Sequence, residues 1–260
     1  MSNPVFYAAP ESIGALCPGA RFSLDGAEGR HATTVKRLSI GEPVDVCDGA
    51  GLRLTCTVTN AEKGILTVQV EAVLPEQKPA VEFTLVQALA KGDRDELAIE
   101  MATELGIDAV VPWQAERSIV RWKMDKAVKG PEKWRQVVAA AAKQARRATV
   151  PRVGELAGTA AVCEHIQGAD LALVLHEDAV DSVATRAHEW LLANPDAKST
   201  VARQYSVLLI VGPEGGMSAP EVEAFVAAGA RRALLGKHVL RSSTAGPAAL
   251  VLLSQELGRW

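Results

Sequence analysis

No run of about eighteen apolar residues occurs in this chain of 260, so no membrane-spanning helix is expected. The opening MSNPVFYAAPESIG has no basic stretch ahead of an apolar core, which argues against a secretory signal. Cysteine is scarce and scattered: Cys17, Cys47, Cys56 and Cys163 form no C-x-x-C pair. That pattern excludes a cysteine zinc site and a disulfide framework, and it predicts a reducing compartment, the cytoplasm, with no metal. The motifs G-x-x-x-x-G-K-[ST] and G-x-G-x-x-G are absent, as are H-E-x-x-H and G-x-S-x-G. A nucleoside ligand without a polyphosphate therefore fits better than a nucleotide. Aromatic residues make up only 4% of the chain. With so few available, Trp113, Trp122 and Trp134 read as core or interface before base-stacking platforms.

Positive charge is sparse outside one window. Residues 117 to 152 carry eleven basic side chains (Arg117, Arg121, Lys123, Lys126, Lys129, Lys133, Arg135, Lys143, Arg146, Arg147 and Arg152) against Asp125 and Glu132, in a chain of net charge −3. Such segregation is the footprint expected for a polyanion partner, with a solvated helix face as the alternative. Lys143, Arg146, Arg147 and Arg152 are the best placed for phosphate contacts.

Two patterns divide the chain. EPVDVCD (42–48), LRLTCTVTN (52–60) and ILTVQVEAV (65–73) are β-branched, partly alternating runs separated by glycine turns, the signature of a small barrel or sandwich. LPEQKP, bracketed by Pro75 and Pro79, is a stiff connector, which predicts domains over 1–75 and 80–260. Beyond it, strands and helices alternate. VEFTLVQAL (81–89), DAVVPW (108–113), LALVLHE (171–177), YSVLLIVG (205–212) and RRALLG (231–236) read as strands. A helix is predicted over 93–105 with Leu97, Met101 and Leu105 on its apolar face and Ala98 and Ala102 beside them, and another over 133–147. This order specifies an α/β domain with a parallel sheet, whose ligands bind beyond the carboxyl ends of the strands.

Three of those strand ends carry unusual residues: His176-Glu177-Asp178, then Gly212-Pro213-Glu214-Gly215-Gly216, then Gly236 followed by Lys237 to Gly246. Glycines there let backbone groups approach a flat ligand. Ser218-Ala219-Pro220-Glu221 reads as a capping box opening a helix directly after the second loop. His176 and His31 each have a ligand-contact reading and a structural one, and for both the structural one is favoured.

The runs VGPEGGMSAPEV (211–222) and LLGKHVLRSSTAGPAALVLL (234–253) resemble the SPOUT-class methyltransferases that act on N3 of a uridine in 16S ribosomal RNA. The likeness continues through 87–118, 140–151 and 31–49, nearly the whole chain. It implies a PUA-like β-barrel for RNA and a methyltransferase domain whose chain end is threaded into a trefoil knot. It also implies S-adenosylmethionine as cofactor, 16S rRNA or the assembled small subunit as partner, and a homodimer. Carried over, the cofactor residues are Leu175, His176, Glu177, Gly212, Pro213, Glu214, Gly215, Gly216, Leu235, Gly236, Val239, Leu240, Arg241 and Ser243. Arg241 and Glu214 are the expected catalytic pair, as cation and proton acceptor. Arg117 joins the RNA contacts, although an ion pair with Glu104 is the simpler reading for it. The family commonly reads LRTETA where this chain has Leu240-Arg241-Ser242-Ser243-Thr244-Ala245, so Ser243 replaces a carboxylate with a far poorer base. Ribose 2′-O methylation and a non-catalytic role in ribosome assembly stay open as alternatives.

Overall fold

The computed structural model describes residues 3–199 and 203–260. The chain forms two compact units, one of 1–78 with 142–150 and one of 79–141 with 151–260. The strands are β1 (Val5–Tyr7), β2 (Arg21–Leu24), β3 (Pro43–Cys47), β4 (Leu52–Glu62), β5 (Ile65–Pro75), β6 (Val81–Ala88), β7 (Ala109–Trp113), β8 (Arg152–Val153), β9 (Leu171–Leu175), β10 (Tyr205–Val211) and β11 (Arg231–Ala233). The helices are α1 (Pro10–Ile13), α2 (Gly26–Arg30), α3 (Arg94–Glu104), α4 (Asp125–Gln144), α5 (Thr159–Gly168), α6 (Val183–Ala193), α7 (Ala219–Ala227) and α8 (Ser242–Glu256).

The first unit is a five-stranded sheet in the order β1-β3-β4-β5-β2, antiparallel except for the β1–β3 pair. The alternation seen in the sequence is its burial pattern: Leu54, Cys56 and Val58 from β4 meet Leu66, Val68 and Val70 from β5 on one inner face. Residues 142–150 belong here although the sequence reading placed them in 80–260. Tyr7 Oη donates to Arg147 O at 2.9 Å and Val150 N to Gly49 O at 2.9 Å, bonds between segments that no local pattern links.

The second unit is a six-stranded, wholly parallel sheet ordered β11-β9-β10-β6-β7-β8. Apolar runs on both sides of the central strands are buried because helices cover both faces. Val162, Ile166, Val222 and Phe225 from α5 and α7 close over Val86, Val174 and Ile210 on one face, while α3, α6 and α8 pack together on the other. The last helix crosses back over β10 and β6.

Two helices differ from their predicted form. The buried face of α3 is Asp95, Ala98, Ile99 and Ala102, whereas Leu97 is 46% exposed. Alanines at 98 and 102 let α3 and α8 approach closely, and this turns the larger leucine outward. Helix α4 begins at Asp125 and stops at Gln144 instead of spanning 133–147. It admits Pro131 near its start and ends where Arg146 turns left-handed at φ 58°.

Candidate active site

Because β11, β9 and β10 are adjacent and parallel, the loops that leave their carboxyl ends meet. They enclose a cleft of 940 Å³ lined by segments 175–177, 211–217 and 233–242, with Ala245, Arg94 and Arg117 completing the wall. Strand order reverses across this region, the place where open parallel sheets bind ligands. The first loop is held by His176 N donating to Ala233 O at 3.0 Å, and the His176 Nδ1 accepts from Asp178 N at 3.2 Å. The ring thus takes part in its own turn, the structural reading favoured above.

The second loop is tight because Gly212 has no side chain. A Cβ there would lie 2.9 Å from Met217 Cγ, so Met217 could not fold back over the strand end. It then enters α7 through the capping box foreseen in the sequence. Ser218 caps the Glu221 amide, and the Glu221 carboxylate accepts from Ser218 N at 2.9 Å. That carboxylate, 4% exposed, also accepts from Glu116 N at 2.7 Å and Thr159 Oγ1 at 3.2 Å. It therefore fixes the segment that delivers Arg117. Glu221→Ala should cost about 2–3 kcal/mol by orphaning these donors, and it should also weaken ligand binding in the cleft. Urea unfolding and cofactor titration of the same variant would check both.

In the third loop Gly236 adopts φ +146°, a conformation side chains rarely take, and a Cβ there would meet nothing within 4 Å. The wall at this point is bare backbone facing open space.

Every cofactor residue carried over from the resemblance lines the cleft except Ser243, which is 4% exposed inside the first turn of α8. Arg241 is the N-cap of α8 and exposed. No carboxylate lies within 4.0 Å of its guanidinium among the described residues, so no loop-stabilising ion pair is formed there. Glu214 Oε1 accepts from Lys91 N at 3.2 Å and from Arg94 at 3.3 Å, which clasps the β6–α3 loop to the β10–α7 loop. Its Oε2 has no partner among the described residues.

Sequence reasoning missed Arg94, as well as Met217 and Leu234, in the same wall, whereas Lys237, His238 and Ser242 fall in the segment it singled out after Gly236. It also paired Arg117 wrongly. The guanidinium donates to Gly215 O at 3.4 Å and has no contact with Glu104.

The basic window is less bare than its sequence suggests. Lys143 pairs with Glu28 at 2.7 Å, Lys133 with Glu96, Arg135 with Glu132 and Glu155, Lys129 with Asp125, and Arg152 with Glu82. Much of the charge excess is answered by acids distant in sequence. Arg117, Arg121, Lys123 and Lys126, which leave the cleft rim toward α4, have no carboxylate partner among the described residues. Lys143, Arg146 and Arg147 lie in the first unit, Arg117 and Arg152 in the second. Trp113 and Trp134 are fully buried, and Trp122 stacks edge-on against Trp134 at 5.6 Å, so these rings build core. His31 sits edge-on to Phe6 at 6.0 Å, its basicity lowered by burial and by Lys143.

At the start of α3, burial pushes the Asp95 carboxyl up from 3.8 to about 6, against the opposing hydrogen bonds from Ala90 N and Glu96 N. Between those values the folded chain binds the proton and the unfolded chain does not. Asp95 thus contributes stability in acid that is lost as pH rises through about 6. Asp95→Asn should remove a fall on the order of 2 kcal/mol between about pH 4 and pH 7, measurable as unfolding midpoints across that range.

A parallel sheet whose last strand ends build a glycine-walled cleft, capped by an arginine, defines an α/β ligand-binding enzyme fold, and the comparison with known families is specific. The chain belongs to the RNA methyltransferase family: residues 76–254 match its RNA methyltransferase domain and residues 24–71 an RNA methyltransferase PUA domain. Its relatives include the ribosomal RNA small subunit methyltransferase E of Mycobacterium bovis, 40% identical over 248 residues (93% of this chain, 89% of the relative). The protein of the same name from Bacillus subtilis is 29% identical over 236 residues, 90% of each chain. Among solved structures, the Neisseria gonorrhoeae ribosomal RNA small subunit methyltransferase E bound to S-adenosyl methionine superposes with a TM-score of 0.77. It is 27% identical, and the match covers 98% of both chains. A Legionella pneumophila methyltransferase with bound cofactor SAM gives 0.79 at 25% identity over 98% of each.

Proposed function

We propose that this protein transfers a methyl group from S-adenosylmethionine to N3 of a uridine in 16S ribosomal RNA. The observation that carries this reading is the cleft itself: three adjacent strand ends, two of them glycine-bearing, meeting beside Arg241, a cation with no carboxylate partner among the described residues. The residues present fit the cofactor. Leu175, Val211, Leu234 and Leu235 offer an apolar wall for a flat base, Gly236 leaves backbone open to it, and the exposed Glu177 suits ribose hydroxyls. When bound, S-adenosylmethionine supplies an electrophilic methyl group.

The chain's own part is to hold the uracil and manage its N3 proton. Rigid loops align the base, an effect worth roughly 7–11 kcal/mol in well-oriented pairs. Arg241 faces the negative charge that spreads onto the uracil oxygens as the proton leaves. Glu214 Oε2 is the acceptor of that proton, its partner oxygen being held by Arg94 and Lys91. Arg117, Arg121, Lys123 and Lys126 draw the phosphate backbone toward the rim.

The same reading assigns 1–75 as a PUA-like RNA-binding domain and 80–260 as the methyltransferase domain. Lys143, Arg146, Arg147 and Arg152 then serve as further RNA contacts, Lys143 and Arg152 exchanging their ion pairs with Glu28 and Glu82 for phosphate. Ribosomal RNA or the small subunit is the partner, and the cytoplasm is the site of action. A trefoil knot is supported by the return of α8 across β10 and β6 after β11 at the sheet's far edge. A homodimer is supported by Val239, 78% exposed, and Leu252, 37% exposed, on the knot segments. Calorimetry tests the cofactor assignment. One S-adenosylmethionine should bind per chain, and Gly236→Val should abolish binding by straining the backbone and filling the cradle. Equal binding by both proteins would overturn the assignment.

A further inference from the structure

Gln87 stands at the carboxyl end of β6, fully buried within an otherwise apolar run. Its Nε2 donates to Ala88 O at 3.2 Å and to Ser242 Oγ at 2.8 Å, while its Oε1 is buried without a partner. The orientation of this amide is determined by chemistry. A backbone carbonyl can only accept, so the atom touching Ala88 O is the nitrogen. Ser242 Oγ must then be the acceptor of the second N–H, which leaves the hydroxyl proton of Ser242 free to donate elsewhere.

Among the described residues no acceptor receives that proton. Ser242 is 8% exposed, opens α8 next to Arg241, and lines the cleft. A central strand that keeps an amide at the cost of an orphaned buried oxygen is placing something, because such an oxygen ordinarily costs about 1–3 kcal/mol. What it places is a hydroxyl donor directed into the site, beside the positive end of a fifteen-residue helix and a guanidinium.

Resting on the function proposed above, we infer that Ser242, oriented by the positioning residue Gln87, donates a hydrogen bond to a uracil carbonyl oxygen of the target base. A cation, a helix N-terminus and an O–H converge there. That combination suits an oxygen that gains negative charge as N3 loses its proton, and it does not suit a sulfonium.

Ser242→Ala should lower the single-turnover methylation rate about 10²-fold, in the range for loss of one such donor. Cofactor affinity by calorimetry should stay unchanged, and Ser242→Thr should restore the rate. Gln87→Glu should reproduce the loss, because a carboxylate captures the serine proton. A second readout needs no turnover: RNA carrying 5-fluorouridine at the target position, followed by its fluorine resonance as pH is raised. The bound base should lose its N3 proton at lower pH on the native protein than on Ser242→Ala. Equal ionisation on the two proteins overturns the inference even if methylation is seen. A Ser242→Ala loss of cofactor affinity matching its loss of rate would overturn it too, placing the hydroxyl on the cofactor. If the native protein transfers no methyl to uridine, the function fails, and the fluorine titration still decides the contact.

Discussion

Arg241→Ala should reduce the single-turnover rate of methyl transfer by about 10²- to 10³-fold while changing cofactor affinity little. The reasoning is electrostatic. Arginine at a helix N-cap ordinarily finds a carboxylate, because the helix end is itself positive and adds to the cost of an uncompensated cation. Arg241 has none within 4.0 Å among the described residues, yet it lines the cleft. A cation left free at a ligand-binding wall is available to charge that appears only during reaction, and such interactions act on rate more than on binding. Arg241→Lys should recover part of the rate, since the charge returns without the planar fork. Single-turnover kinetics at saturating RNA and cofactor, with calorimetry beside them, separate this outcome from simple loss of binding.

Arg259→Ala should destabilise the second unit by about 3 kcal/mol, the loss expected when one partner of a largely buried ion pair is removed. Arg259 donates to Asp108 Oδ2 at 2.6 Å and Oδ1 at 3.3 Å, to Val81 O at 2.8 Å and to Gly106 O at 2.9 Å. Its guanidinium also lies 5.0 Å from the Phe83 ring centroid. Asp108 Oδ2 in turn accepts from Phe83 N at 2.8 Å, so one carboxylate joins the starts of β6 and β7 to the end of the chain. This clamp anchors the far end of α8, the helix whose beginning carries Arg241 and Ser242. Asp108→Ala should cost a similar amount, and the double variant much less than the sum, because both changes break one network. Urea midpoints of the three variants would show it, and additive losses would contradict the shared clamp.

What the sequence made readable was local. The loop from Gly212 to Gly216 and the box from Ser218 to Glu221 were legible because glycine and capping residues act within a few positions of themselves. The central strands were legible because burial on both faces leaves continuous apolar runs. Partnerships across long separations were hidden. Glu28 lies 115 residues from Lys143, so the basic window looked more naked than it is. Arg94 lines the site and pairs there with Glu214, 120 residues away. On α3 Ala98 and Ala102 were legible as part of the apolar face, but Leu97 was misplaced because leucine outweighs alanine in a periodicity count, whereas packing against α8 favours the smaller side chains. Gln87 looked like one more polar residue in a strand that also carries Glu82 and Thr84, and nothing local announced that Ser242 would lie beside it.

The measurement that addresses the whole account is transfer of an isotope-labelled methyl group from S-adenosylmethionine to small ribosomal subunits lacking the modification, followed by nucleoside analysis of the digested RNA. The account predicts labelled 3-methyluridine, lost with Arg241→Ala under conditions where that variant still binds cofactor. Label on a ribose hydroxyl would contradict the assigned base chemistry, and cofactor bound with no label in any RNA would contradict catalysis on this substrate.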